Sequence, residues 1–199
     1  MRRAEFEIKN EAELEKLLNK AAFGTLCMND EPYPYAVNVN FVFQDKYIYF
    51  HGAMDGRKYS LALKNPHASF SAAKEYAFIP SYFFKNASCG ATQYFVSAFL
   101  EGELRILEDK TQKAAALGLL MKKYQSEGKY EHLRSSDKAV EKTAVFQFQI
   151  ASSSLKIKAG QNLNKECAAA LVKKLKKRGA AKDGKTIKLI KKFTLKNKN

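Results

Sequence analysis

Hydrophobic and polar positions change period several times along this chain, and each change marks an element. Asn10 followed by Glu13 forms a capping-box-like start, with Asn in the place of Ser or Thr. Leu14, Leu17, Leu18 and Ala21 then recur on one helical face with Glu and Lys opposite, which predicts a first helix. From residue 23 the period shortens. Runs rich in Phe, Tyr and Val predict strands at 23–28, 34–43, 47–51, 68–78, 92–107 and 143–151. Asn29-Asp-Glu-Pro-Tyr33 and Gln44-Asp-Lys46 are turn-like breaks, and the latter predicts a hairpin between the second and third strands. Asp109 is placed to cap a helix reaching about Tyr124, with Ala114, Leu117, Leu120 and Met121 on its apolar face. Many short strands with a few helices between them favour a closed antiparallel barrel with helices packed outside.

Residues 78–91 break the pattern and read as a loop, with Pro80, Asn86 and Gly90 among Tyr82, Phe83 and Phe84. Adjacent aromatics there serve either as a lid or partner surface, or fold back on their own core. After Gly160 the character changes again. Asn164 is placed to cap a helix through Arg178, with Cys167, Ala168, Leu171 and Leu175 on one face and lysines opposite, and Gly179 ends it. Thr186 to Leu195 reads as a short strand or an amphipathic turn. The expected organisation is a main domain over residues 1–160 and a basic helical extension over 161–199.

The chain has 199 residues, enough for one domain with a full core. No apolar run approaches the ~18 residues of a membrane span, so no membrane association is expected. The start Met1-Arg-Arg-Ala-Glu-Phe-Glu7 becomes charged again at once and does not read as a signal peptide. Cys27, Cys89 and Cys167 are odd in number and far apart, which suggests reduced thiols and a cytoplasmic protein. The net charge of +15 is uneven: residues 173–199 carry twelve Lys and Arg against the single acid Asp183. A nucleic-acid or acidic partner would therefore be sought at this tail, as the rest of the chain is only mildly basic.

The segment Tyr47-Ile-Tyr-Phe-His-Gly-Ala-Met-Asp-Gly-Arg-Lys-Tyr-Ser-Leu-Ala-Leu-Lys-Asn-Pro66 carries the most chemistry. It reads as a strand, a loop bounded by Gly52 and Gly56, and a helix opening on Arg57 and Lys58. Free N–H groups at a helix start, with two cations beside them, suit a phosphate. The alternative is a solvated basic helix start, and the spacing matches neither a GxGxxG nor a P-loop. Other chemistry is weaker. His51, His67 and His132 are scattered, without acids or Cys at ligand spacing, so no metal is expected. No GxSxG is present. Glu101 and Glu103 on one strand face read as solvated, and Cys27 in an apolar strand reads as a core residue.

The same segment, with its His-Gly-Ala…Gly-Arg-Lys…Asn-Pro pattern, resembles the FMN-binding split-barrel superfamily of pyridoxamine 5′-phosphate oxidase. The likeness is greater to the branch related to nitroimidazole-resistance proteins. Met-Arg-Arg at the start, an acidic helix, Phe23-Gly-Thr-Leu-Cys-Met28, Pro34-Tyr-Ala-Val-Asn-Val-Asn-Phe41 and Phe95-Val-Ser-Ala-Phe-Leu-Glu-Gly102 occur in the family's order over roughly residues 1–160. The resemblance implies a mainly β fold with α elements: an antiparallel split β-barrel with peripheral helices. It implies FMN in a groove shared by a homodimer. Arg57 and Lys58, with Gly56, would hold the phosphate. The backbone of Val37, Asn38, Val39 and Asn40 would follow the ring edge, His51, Gly52 and Ala53 would line its other side, and Ser97 would reach it from the partner chain. Two departures argue against oxidation of pyridoxamine phosphate itself. The strand at Val37–Asn40 lacks the oxidase's Arg and Lys, and the oxidase's C-terminal Arg-Leu-x-Pro ending is missing.

The leading reading is an FMN-dependent oxidoreductase that reduces a small, nitro-bearing or aromatic substrate, the flavin performing the redox step. His51, with an unperturbed pKa of ~6.5, is the candidate catalytic proton donor; alternatively it only caps the strand or packs on the ring. Two rivals remain. One is a haem-binding split barrel with His51 or a tail residue near iron, and the other is a binding module acting through the basic tail.

Overall fold

The computed structural model describes residues 3–84 and 88–195. Expectations on Met1 and Arg2, on Asn86, and on the chain end from Lys196 lie outside the described residues. In chain order the elements are α1 (Glu11–Lys20), β1 (Phe23–Met28), β2 (Tyr35–Asn40), β3 (Val42–Gln44), β4 (Tyr47–Gly52), α2 (Gly56–Lys64), β5 (His67–Ile79) and β6 (Thr92–Ile106). There follow α3 (Lys110–Tyr124), α4 (Lys138–Glu141), β7 (Ala144–Lys158), α5 (Lys165–Arg178) and α6 (Asp183–Ile190).

The strands form one sheet in the order β2-β1-β5-β6-β7-β4-β3, with antiparallel ladders between β1 and β2, β1 and β5, β3 and β4, and β4 and β7. The expected mainly antiparallel fold with peripheral helices is present, but the sheet does not close: β2 and β3 are its two ends. The reason lies at Phe41, inside the run expected as one strand over 34–43. Its N–H is donated to the Tyr124 hydroxyl (2.9 Å) and its carbonyl accepts from Lys123 Nζ (2.8 Å). Tyr124 lies 2.6 Å from the Ala22 carbonyl, and Lys123 also donates to the Leu18 carbonyl. The C-terminal end of α3 thus takes the backbone groups that a continuous ladder would need, dividing the run into β2 and β3. The β3–β4 hairpin forms as expected. Asp45 (φ 52°) and Lys46 (φ 70°) adopt the left-handed conformation that suits a tight two-residue turn.

Contacts divide the chain into two compact units. Unit 2 comprises Glu11–Ala72 and Phe99–Ser153. Its core holds the fully buried Leu26, Phe41, Ile48, Phe50, Phe70, Phe146 and Phe148. Phe50 and Phe146 stack with centroids 5.0 Å apart, and Phe41 meets Phe70 edge-on at the same distance. Helix α3 covers a second cluster of Val42, Leu107, Val140 and Val145 with its Ala114, Leu117 and Leu120. The Asp109 cap is in place, accepting from the Gln112 N–H at 2.7 Å.

Unit 1 comprises Met1–Asn10, Ala73–Ala98 and Ser154–Asn199. Ala77, Ile79 and Tyr94 share a core with Ala168, Leu171, Val172 and Leu175 of α5 and Ile190 of α6. Asn164 caps α5 by accepting from the Cys167 N–H (2.7 Å), and Gly179 ends it at φ 65°. The 186–195 segment is neither strand nor loose turn: it is the end of α6 and a π-helical turn, Lys191–Leu195. Its buried residues Thr186, Leu189, Ile190 and Phe193 recur at three and four, the helical spacing. Buried Asp183 accepts from Arg178 and from the Ala180 N–H (2.9 Å), while Thr186 accepts from the Ala77 N–H and Thr194 donates to the Ala159 carbonyl. In the aromatic loop Phe83 and Phe84 fold back on this core, while Tyr82 remains 64% exposed.

Candidate functional site

Strand β4 alternates strictly. Ile48 and Phe50 are buried, and His51 on the opposite face is exposed. The strand ends at Gly52, the chain turns through Ala53-Met54-Asp55, and Gly56 opens α2 at φ 82°. A side chain at Gly56 would be strained by that angle, although there is space for one. Asp55 is extended and its side chain makes no cap, so no side chain takes the first N–H groups of α2.

Arg57 and Lys58, equivalent in the sequence, differ in the fold. Arg57 Nε bonds Asp30 Oδ2 at 2.6 Å, and its guanidinium lies 5.0 Å from the Tyr35 ring centroid. Its charge is thus already balanced. The Arg57 bond, with the Glu31 N–H, holds the Asp30 carboxyl below the ordinary carboxylate range. Lys58 folds inward instead, with Nζ 5.1 Å from the Phe146 centroid and 5.5 Å from that of Phe50. It makes no ion pair with any described residue, and burial lowers its pKa. Gly52 makes this position possible: a Cβ there would stand 2.7 Å from Lys58 Nζ. His51 stands on the other face of β4 from Phe50. The protein around it, and then the charge of Lys58, push its pKa below the ordinary value although the ring reaches solvent. At neutral pH the imidazole is therefore less protonated than the sequence suggested.

Val37, Asn38, Val39 and Asn40 lie on β2, a sheet end paired only with β1. One edge of their backbone is therefore free of ladder partners. Asn38 Oδ1 accepts from Thr25 and Asn40 donates to the Ala22 carbonyl, which fixes both side chains beside β1. The Arg57–Asp30 and Arg57–Tyr35 contacts bring the start of α2 to the start of β2. Val37–Asn40, His51, Gly52, Ala53, Gly56, Arg57 and Lys58 all belong to unit 2, whereas Ser97 is half-buried on β6 in unit 1. Asp30, Tyr35, Phe50 and Phe146 escaped the sequence reading. Asp30 looked like one polar turn residue among several, and Phe146 is separated from Lys58 by most of the unit. Among the described residues no group of three or more His, Cys, Asp or Glu is arranged to hold a metal. None of their helices is long and apolar enough to cross a membrane.

Solved structures share this architecture. A candidate 5-nitroimidazole antibiotic resistance protein from Bacteroides thetaiotaomicron is 22% identical, over 76% of this chain and 86% of its own, with a TM-score of 0.65. The flavocytochrome Anf3 from Azotobacter vinelandii is 19% identical over 82% and 75%, with a TM-score of 0.69. The FAD and heme binding protein from Mycobacterium smegmatis is 18% identical over 82% and 79%, with a TM-score of 0.65. At these identities the likeness is one of fold. No curated protein matches the sequence. The family model described as pyridoxamine 5′-phosphate oxidase matches residues 10–157, a span that includes every site residue in β2, β4 and α2. The chain belongs to the pyridoxamine 5′-phosphate oxidase family.

Proposed function

We propose that this protein binds FMN at the β2, β4 and α2 site and acts as an oxidoreductase on a small nitroaromatic molecule. The observation that carries the reading is Lys58: a half-buried cation with no acid partner, beside an uncapped helix start. A phosphate dianion supplies the charge that Lys58 lacks and accepts from the N–H groups that Asp55 leaves free. FMN and FAD carry phosphate whereas riboflavin does not, and a terminal dianion suits this site better than a bridging diphosphate. The free edge of β2 at Val37–Asn40 offers backbone donors and acceptors to a planar ring, and Gly52 and Ala53 present little side chain to crowd it. Flavin and haem in the names of two similar structures agree with a planar cofactor. When bound, FMN supplies the hydride or electron transfer. The chain's own work is to hold the phosphate, exclude water and place His51 as a proton donor near the substrate.

The assembly is proposed as a homodimer, with Ser97 reaching the partner's cofactor. Support comes from large apolar side chains left exposed on unit 2, among them Leu63 (68%), Phe23 (60%) and Phe99 (49%). The test begins with the absorption spectrum of purified protein and titration of apoprotein with FMN, FAD and riboflavin. FMN is expected to bind at least tenfold more tightly than the other two. A Soret band in place of a flavin spectrum would favour the haem reading, and equal affinity for riboflavin would refute the phosphate role. Bound flavin, once photoreduced, should be reoxidised faster by a nitroaromatic acceptor under argon than free FMN is. An equal rate would leave a flavin carrier rather than a reductase.

A further inference from the structure

Within the basic extension, residues 165–195 form a folded, lysine-rich surface of unit 1. Residues 165–195 carry eleven lysines and arginines against two acids, Glu166 and Asp183. Burial sorts them sharply. Ala168, Leu171, Val172 and Leu175 of α5 and Leu189 and Ile190 of α6 face inward, whereas every lysine of the two helices is exposed. Four cations are engaged locally: Arg178 with buried Asp183, Lys182 with Glu75, Lys174 with the Phe83 carbonyl at 2.5 Å, and Lys192 over the Phe193 ring at 5.2 Å. Lys173, Lys176, Lys177, Lys185, Lys188 and Lys191 make no ion pair with any described residue. Six exposed cations without an acidic partner among the described residues, five on α5 and α6 and one on the turn that follows, create a strong, one-signed field.

Aromatic side chains adjoin this field. Tyr82 is 64% exposed. Phe83 ties Tyr82 to α5: the Arg178 guanidinium lies 5.3 Å and Lys174 Nζ 5.8 Å from the Phe83 centroid. Phe83 in turn meets Tyr82 edge-on at 5.3 Å. An exposed ring beside exposed lysines matches what a nucleic-acid strand with unpaired bases requires, a track for phosphates and a platform for stacking. An acidic peptide would use the lysines but not the ring. An anionic membrane surface would call on the apolar faces of α5 and α6, and these are already buried in the core.

We propose that the lysine face of α5 and α6, with Tyr82, binds single-stranded nucleic acid. This does not depend on the flavin reading. The test uses the full-length protein and a fluorescein-labelled twenty-nucleotide oligothymidylate, followed by anisotropy. If about four lysines each neutralise a phosphate, the slope of log K against log salt is about −3, or roughly fifty-fold weaker binding at 200 mM than at 50 mM salt. The triple variant Lys173→Gln, Lys177→Gln, Lys188→Gln should reduce that slope to about −1. Tyr82→Ala should weaken binding by about tenfold at fixed salt with the slope unchanged, because stacking releases no counterions. All three lysines and Tyr82 are exposed, so both variants should fold, as circular dichroism will check. The proposal is overturned if there is no saturable binding at 50 mM salt. It is equally overturned if polyglutamate competes as well as oligothymidylate per charge, if duplex or phosphatidylserine vesicles bind more tightly, or if Tyr82→Ala has no effect.

Discussion

Replacing Gly52 by alanine separates the fold of the site from its charge. The new Cβ would lie 2.7 Å from Lys58 Nζ, 3.1 Å from its Cε and 3.5 Å from Phe146 Cε2. Only the first two contacts are too close, and both are to the flexible end of a lysine. The lysine, not the strand, should therefore move. Its departure removes a cation–π contact of about 0.5–2 kcal/mol. Alanine in a strand regains roughly 0.5–1 kcal/mol over glycine. The two nearly cancel, so the apoprotein should melt within about 4 °C of the wild type. Phosphate recognition does not cancel. Loss of one charge-assisted bond, about 1.5–3 kcal/mol, weakens FMN roughly tenfold to hundredfold. Riboflavin, which lacks the phosphate, should bind the variant and the wild type equally. The assay is quenching of flavin fluorescence on titration of apoprotein, alongside a thermal melt. FMN affinity within twofold of wild type would refute the role given to Lys58. Equal weakening of FMN and riboflavin would show instead that Gly52 serves the ring and not the phosphate.

Other outcomes follow from the same geometry. Arg57→Ala should weaken FMN by only about threefold to tenfold in the same titration, because Arg57 is exposed and already paired with Asp30. The His51 pKa is lowered, so its protonated fraction falls as pH rises through a value below ~6.5. The rate of flavin reoxidation by a nitroaromatic should fall over that range in the wild type and stay flat in His51→Gln at matched flavin occupancy; coincident profiles would make His51 structural. Burial lowers the Lys123 pKa to about 8, so the folded state sheds this proton before the unfolded state does. Its contribution makes stability rise as pH increases from about 8 towards the ~10.4 of an unfolded lysine, a rise that melting curves of Lys123→Met should lack. Leu175→Ala should destabilise unit 1 by about 2–5 kcal/mol in a denaturant titration, since Leu175 is fully buried against Ala77, Ile79 and Tyr94. Near-zero cost there would contradict the packed extension.

Local rules were legible in the sequence because they act over a few residues. The period of apolar positions placed α1, α3, α5 and most strand ends within a few residues, although β7 runs on to Lys158, seven residues past the expected end at 151. The caps at Asp109 and Asn164 and the stop at Gly179 follow from single side chains and one backbone angle. The strand, turn and helix start of the His51–Lys58 segment were readable because they are contiguous. What the sequence did not determine depends on partners far along the chain. The break at Phe41 needs Lys123 and Tyr124, more than eighty residues away. The inequality of Arg57 and Lys58 comes from Asp30 taking one cation and a pair of stacked phenylalanines receiving the other. Helix α6 was misread for the same reason. Charges dominate its sequence, but its form follows from Asp183, Thr186 and Ile190 finding Arg178, Ala77 and the unit 1 core. A side chain's period is written in its neighbours, whereas its charge state and pairing are set by whatever the folded chain brings against it, at a dielectric that only burial decides.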